Sequence, residues 1–198
     1  MKNNFYLLLT IIILSSTAYS DESLQKREIQ QEPTIKKENK SATKEYSFAF
    51  ENLHNQLSII TMKDDIYSFP NIKQPIVMIS LFSTWCPPCR GQIPHLANLQ
   101  KKFKEHFFII GALVYDDIQK NEFAKFMIAQ KALFFISTSQ EENLRFAKMI
   151  TPKLQLKKDF PMPLMIVFYK GKYFTHYEGS MPEEMIQSDI EQLLEKIK

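Results

Sequence analysis

Tyr46, Phe48 and Phe50 alternate with Ser47 and Ala49, the period-two pattern of a strand with one buried face. Residues 57–61 read as a second short strand, and Asp64-Asp65 as the turn behind it. After Pro75 the pattern changes. Ile76-Val77-Met78-Ile79-Ser80-Leu81-Phe82 is almost continuously apolar, as in a central strand covered on both faces. Leu96, Leu99 and Phe103 then recur at helical spacing, with Gln100, Lys101, Lys102 and Lys104 on the other faces. Pro94 falls inside that helix and predicts a kink. Residues 107–114 form a second buried run, ending at Asp116-Asp117. Phe123, Phe126 and Met127 mark a helix to about Gln130, residues 132–136 a short strand, and Leu144, Ala147 and Met149 another short helix behind Glu141 and Glu142. Phe160-Pro161-Met162-Pro163 leads into a strand at 164–169, Lys170-Gly171 makes a two-residue turn, and 172–177 returns as its partner. A helix over 182–198 closes the chain, with Met185, Ile186, Ile190, Leu193, Leu194 and Ile197 as its stripe. Alternation of strands and helices predicts an α/β domain with helices on both faces of a central sheet.

The first 45 residues follow different rules. Lys2 precedes an apolar run from Phe5 to Leu14, broken only by Thr10, and Ala18 and Ser20 are the small residues of a cleavage site before Asp21. Residues 1–20 are therefore expected to be a signal peptide for export to the periplasm. An uncleaved anchor is the competing reading, but ten apolar residues span only about 15 Å of helix, half a bilayer core. Residues 21–45 are dominated by Lys, Glu, Gln and Asn, and read as a flexible linker. The ordered domain is expected over 46–198.

Composition narrows the function. With 25 Lys plus Arg against 22 Asp plus Glu, the net charge is +3, which argues against a dedicated nucleic-acid binder. Two Cys cannot supply a multi-bridge scaffold or a four-thiolate metal site. They are Cys86 and Cys89, at the junction of a buried strand and a helix. There the first Cys meets unsatisfied N–H groups and the helix dipole, which favour a thiolate. Cys86 is the expected nucleophile, and Cys89, one turn further in, the residue that resolves a mixed disulfide. Pro88 presets a first-turn φ, and Trp85 offers a flat flank. A structural disulfide would use the same spacing, although so short a loop gains little from closure. A zinc half-site would need two more ligands, and His54, His95, His106 and His176 show no metal spacing, so no metal is expected.

The string Trp85-Cys86-Pro87-Pro88-Cys89-Arg90, followed by Pro94, resembles the active site of the thioredoxin superfamily, and most closely its exported branch of TlpA-like and ResA-like thiol–disulfide oxidoreductases. Met162-Pro163 resembles the family's cis-proline segment. The stretch from Phe123 to Thr151 resembles the central insert of the TlpA-like branch. The resemblance implies a thioredoxin-like fold: a central mixed sheet flanked by helices, with that insert and an N-terminal strand extension. Pro163 would face the disulfide in a cis bond, and the Met162 backbone would pair with an extended substrate. No dissociable cofactor is implied, only the redox-active Cys86–Cys89 pair. The implied partners are exported proteins with disulfides, apocytochrome c among them, and a membrane dithiol donor. Two departures stand out. The branch often carries Glu where this chain has Gln92, and plain thioredoxins carry a buried acid where it has Ser80; neither can hold a proton as a carboxylate does. Gln92 is read either as lining the site or as a solvated helix residue. Alternatives to the reductase are an exported thiol oxidase and a non-catalytic binding module; a peroxidase would be expected to carry a lone Cys instead of a pair.

Overall fold

The computed structural model describes residues 44–157 and 159–196. The expected signal peptide, all of the expected linker but its last two residues, and Ile197 of the closing stripe lie outside them. Eight strands and four helices follow in the order β1 (Glu45–Glu51), β2 (Leu57–Lys63), β3 (Ile66–Ser68), β4 (Ile76–Phe82), α1 (Pro87–Lys102), β5 (Phe107–Leu113), α2 (Lys120–Ala129), β6 (Phe135–Ser137), α3 (Gln140–Lys153), β7 (Leu164–Tyr169), β8 (Lys172–Glu178) and α4 (Glu183–Glu195). They build one mixed sheet in the order β1-β2-β3-β8-β7-β4-β5-β6.

The apolar runs form the middle of that sheet. β4 pairs with β5 in parallel and with β7 antiparallel, and all seven of its residues are buried. Its side chains serve two cores. Val77, Ile79 and Leu81 pack with Phe146, Ala147 and Ile150 of α3 on one face. Ile76 and Met78 pack with Leu96 and Leu99 of α1 and Ile186, Ile190 and Leu193 of α4 on the other. The sheet is thus covered on both sides, which is why its central strands tolerate no polar face. The N-terminal extension is the hairpin of β1 and β2, whose Phe48, Phe50 and Ile60 join the α3 core.

Several expectations need correction. β3 was not foreseen: three residues long, it joins the extension to the main sheet through Ile66 opposite Lys172, and Tyr67 N–H donates to the Gly171 carbonyl at 2.7 Å. Gly171 has φ 76°, and a Cβ there would stand 2.2 Å from the Tyr67 carbonyl oxygen, so glycine is required for the approach. The strand expected at 132–136 is shifted to Phe135–Ser137, with Phe135 opposite Ile110 of β5. The expected short helix is the 14-residue α3, and its buried face is Asn143, Phe146, Ala147, Ile150 and Thr151, not Leu144 and Met149. Asn143 was hidden from the pattern because it is polar; it is buried because its amide donates to the Leu113 and Ser137 carbonyls. Met185 of the closing stripe is exposed, whereas Ile186, Ile190 and Leu193 are buried. Pro94 lies inside helix α1, as expected.

Candidate active site

Cys86 is the N-cap of α1, with an extended backbone (φ −82°, ψ 112°). Pro87 and Pro88 occupy the first two helical positions and carry no N–H. The first N–H the helix can offer is therefore that of Cys89, and it donates to Cys86 Sγ at 3.3 Å. No acidic side chain lies in the first turn. A cap hydrogen bond, an unopposed helix terminus and the absence of nearby acid in that turn all favour a thiolate at Cys86 over one at Cys89.

The two sulfurs are joined as a disulfide, with the Cα atoms 5.3 Å apart. Cys86 retains 5% exposure and Cys89 1%, so Cys86 is the more accessible residue of the two. Phe82, Ile93, Leu113, Phe123 and Ile136 form the apolar floor around the pair. Opposite it, the Met162–Pro163 bond is cis, and the Met162 carbonyl oxygen is 3.7 Å from Cys86 Sγ. Met162 precedes β7, outside the ladder, so its backbone faces the disulfide rather than a neighbouring strand. Trp85 is 60% exposed beside the pair.

The loop carrying these groups is held by residues whose part in the site was not foreseen. Ser83 Oγ–H donates to the Val114 carbonyl and touches Met162 Sδ at 3.6 Å. The buried Asp116 carboxylate accepts from Thr84 N–H and, at 3.1 Å, from Ile118 N–H. Trp85 Nε1–H donates to the Tyr115 carbonyl at 2.8 Å. The only sequence signal was position: Ser83 ends one buried run, and Asp116 follows the other.

Gln92 is buried at 2% exposure, which excludes the solvated-helix reading. Its Oε1 accepts Met181 N–H at 2.8 Å, while Nε2 has no partner among the described residues. Ser180 Oγ–H donates to the Pro88 carbonyl at 3.0 Å, and Gly179 N–H to the Pro163 carbonyl at 2.9 Å. Residues 179–181 thus hold the cysteine helix and the cis-proline segment in one frame. Ser80 lies buried in β4, opposite Gly111 of β5 and Met165 of β7. His95 contacts Glu183 at 2.9 Å, and its hydrogen bond holds that carboxyl below the usual carboxylate range.

A family model described as Redoxin matches residues 69–194. The thioredoxin-like protein YneN of Bacillus subtilis (strain 168) is 28% identical over 65 residues, which are 33% of this chain and 38% of that protein. The chain therefore matches well under half the length of that curated relative. Among solved structures, a thiol:disulfide interchange protein of the thioredoxin family from Chlorobium tepidum TLS aligns with a TM-score of 0.58 at 18% identity, over 75% of this chain and 93% of its own. A secreted Mycobacterium tuberculosis disulfide oxidoreductase, homologous to Escherichia coli DsbE, aligns at 0.54 and 11% identity, over 73% and 95%. These likenesses establish a thioredoxin-like fold.

Proposed function

The chain belongs to the redoxin family, and on that premise we propose that it is an exported thiol–disulfide oxidoreductase that reduces disulfides in other exported proteins. The observation that carries the reading is the Cys86–Cys89 disulfide at a helix N-terminus, with the Met162 carbonyl 3.7 Å from Cys86 Sγ. A structural cross-link needs neither the cap hydrogen bond nor an open approach.

In the reduced protein, the Cys86 thiolate attacks one sulfur of a substrate disulfide. That bond breaks as the mixed disulfide forms, and the other substrate sulfur leaves as a thiolate and takes a proton. Cys89 then gives up its proton and attacks Cys86 Sγ. The mixed disulfide breaks, the second substrate thiolate is released and protonated, and the Cys86–Cys89 disulfide is restored. The substrate has gained two electrons and two protons. A dithiol donor, for which a membrane carrier is the fitting class, resets the pair in the same way. The scheme uses no dissociable cofactor. With Gln92 and Ser80 in place of acids, the proton lost by Cys89 passes to water.

Residues 1–20 support export, and cysteine pairs awaiting haem attachment, as in apocytochrome c, are one substrate class that needs such a reductase. Among the described residues no helix is long and apolar enough to cross a membrane. Insulin reduction driven by a dithiol tests the activity; a protein that leaves insulin intact is a binding module. The reduction potential tests direction. A value near that of thioredoxin, about −270 mV, is expected, and one near that of DsbA, about −120 mV, would make the protein an oxidant.

A further inference from the structure

A second cavity lies away from the cysteine pair. It opens between the C-terminal end of α3 and the strands β3 and β8, and none of the groups described around the disulfide lines it. Its volume is about 500 Å³, within the roughly 300–1,000 Å³ of small-molecule sites. Ile150 and Leu154 give it an apolar wall, and polar side chains from three directions converge on it. Tyr67 of β3 is 4% exposed, with its ring 4.5 Å from that of Phe168. Its hydroxyl has no hydrogen-bond partner among the described residues and is not sealed from the cavity. On β8, Glu178 Oε1 stands 3.6 Å from His176 Nε2, which favours a proton on that nitrogen. His176 Nδ1 then accepts the Tyr173 O–H at 2.8 Å, and the Tyr173 oxygen keeps its lone pairs for a ligand. Burial, reinforced by Asp65, pushes the Tyr67 hydroxyl up to about 12, and burial also raises that of Tyr173, so both stay protonated at neutral pH. The two fixed charges at the cavity, Lys153 and Asp65, are bonded to each other.

These features select the ligand. An ion of either sign would meet a like charge, because Lys153 and Asp65 face the cavity together. A wholly apolar guest would leave the Tyr67 hydroxyl unpaired. A neutral guest rich in hydroxyls both donates and accepts, which suits the Tyr67 O–H on one side and the Tyr173 and Asp65 oxygens on the other. Its C–H face would rest on Ile150 and Leu154. We propose that this cavity binds the ring of a saccharide. A free sugar and the sugar of a polymer share that chemistry, and probes of two lengths separate them. The cavity is separate from the disulfide, so the assignment does not depend on the direction in which the cysteine pair runs.

The experiment titrates the oxidised full chain with glucose, N-acetylglucosamine and the N-acetylglucosamine trimer, followed by two-dimensional amide NMR. Saturable shifts at Tyr67, Lys153 and His176 are expected with at least one of these sugars, while Cys86 and Cys89 stay unmoved. Binding of the single rings would assign a free sugar, and binding of the trimer alone a polymer. Tyr67→Phe keeps the packed ring and removes one hydrogen bond, so the dissociation constant should rise about twofold to tenfold. Tyr173→Phe, at a residue 45% exposed, should weaken binding by a similar factor and serves if Tyr67→Phe fails to fold. No saturable response to any of the three sugars, or unchanged affinity in both variants, would overturn the assignment. Saturable shifts at the same residues with inorganic phosphate or tetramethylammonium, and none with the sugars, would overturn it as well.

Discussion

Gln92→Glu separates the two halves of a side chain that sits in the site frame. Oε1 has a partner, the Met181 N–H at 2.8 Å; Nε2 has none, and the residue is 2% exposed. The substitution keeps the acceptor and replaces the orphan donor. With its carboxyl protonated the variant puts an O–H donor where Nε2 stands, no better paired than before, so its stability should be close to the parent's. Ionisation changes this. Among the described residues one backbone N–H is the only hydrogen-bond partner of that side chain, and burial raises the pKa of a carboxyl in the folded state. If it rises by about two units from about 4.3, the loss is about 2.7 kcal/mol. The sign follows from proton release. The unfolded chain ionises first, so stability begins to fall near pH 4.3 and the loss is complete above about pH 6.3. Urea denaturation of the oxidised proteins should therefore find the variant close to the parent at pH 4, and about 2–3 kcal/mol below it at pH 8. The same difference at both pH values would refute the reasoning, because the introduced carboxyl would then be solvated.

Three further outcomes are expected. Ser83→Ala leaves the buried Val114 carbonyl without its side-chain donor and should cost about 1–3 kcal/mol in urea; an unchanged midpoint would show that the bond is dispensable. Gly171 and Gly179 have φ of 76° and 79°, but only at Gly171 does a Cβ meet backbone. Gly179→Ala should cost about 1 kcal/mol. Gly171→Ala should cost clearly more and lower Tm by at least a further 2–4 °C, about the shift expected per kcal/mol, and equal losses would sink the close-contact argument. Glu183 is held below the usual carboxylate range by the His95 hydrogen bond, so its contribution is present above the ordinary carboxylate pKa and is lost as pH falls through the folded value. Glu183→Gln should thus be slightly less stable than the parent at pH 6 and indistinguishable at pH 2.5 in urea titrations; a gap that persists in acid would assign the loss to packing.

What could be read from the chain and what could not divide along contact range. β4 and β5 were legible as nearly continuous apolar runs because both of their faces are covered, so Ser80 is the one polar side chain in them. The cysteine pair at the start of α1 was legible because its parts are contiguous: cap, prolines and second cysteine lie within four residues. β3 was not, because Ile66-Tyr67-Ser68 has no period of its own, and a glycine about a hundred residues downstream positions it. The frame of the site was equally hidden. Ser83 meets Val114 across 31 residues and Gln92 meets Met181 across 89, and no local pattern announces either. Gln92 looked ambiguous because a polar residue on a helix is usually solvated; the fold buries it against the loop before α4.

The central claim is that Cys86 attacks and Cys89 resolves. Its most direct measurement is the trapping of mixed disulfides on Cys89→Ser and Cys86→Ser variants with a disulfide-bonded peptide, followed by mass spectrometry. Stable adducts on Cys86 of the Cys89→Ser protein, with few or none on the Cys86→Ser protein, are the predicted result. Adducts that accumulate instead on Cys89, or on neither variant, would contradict the account.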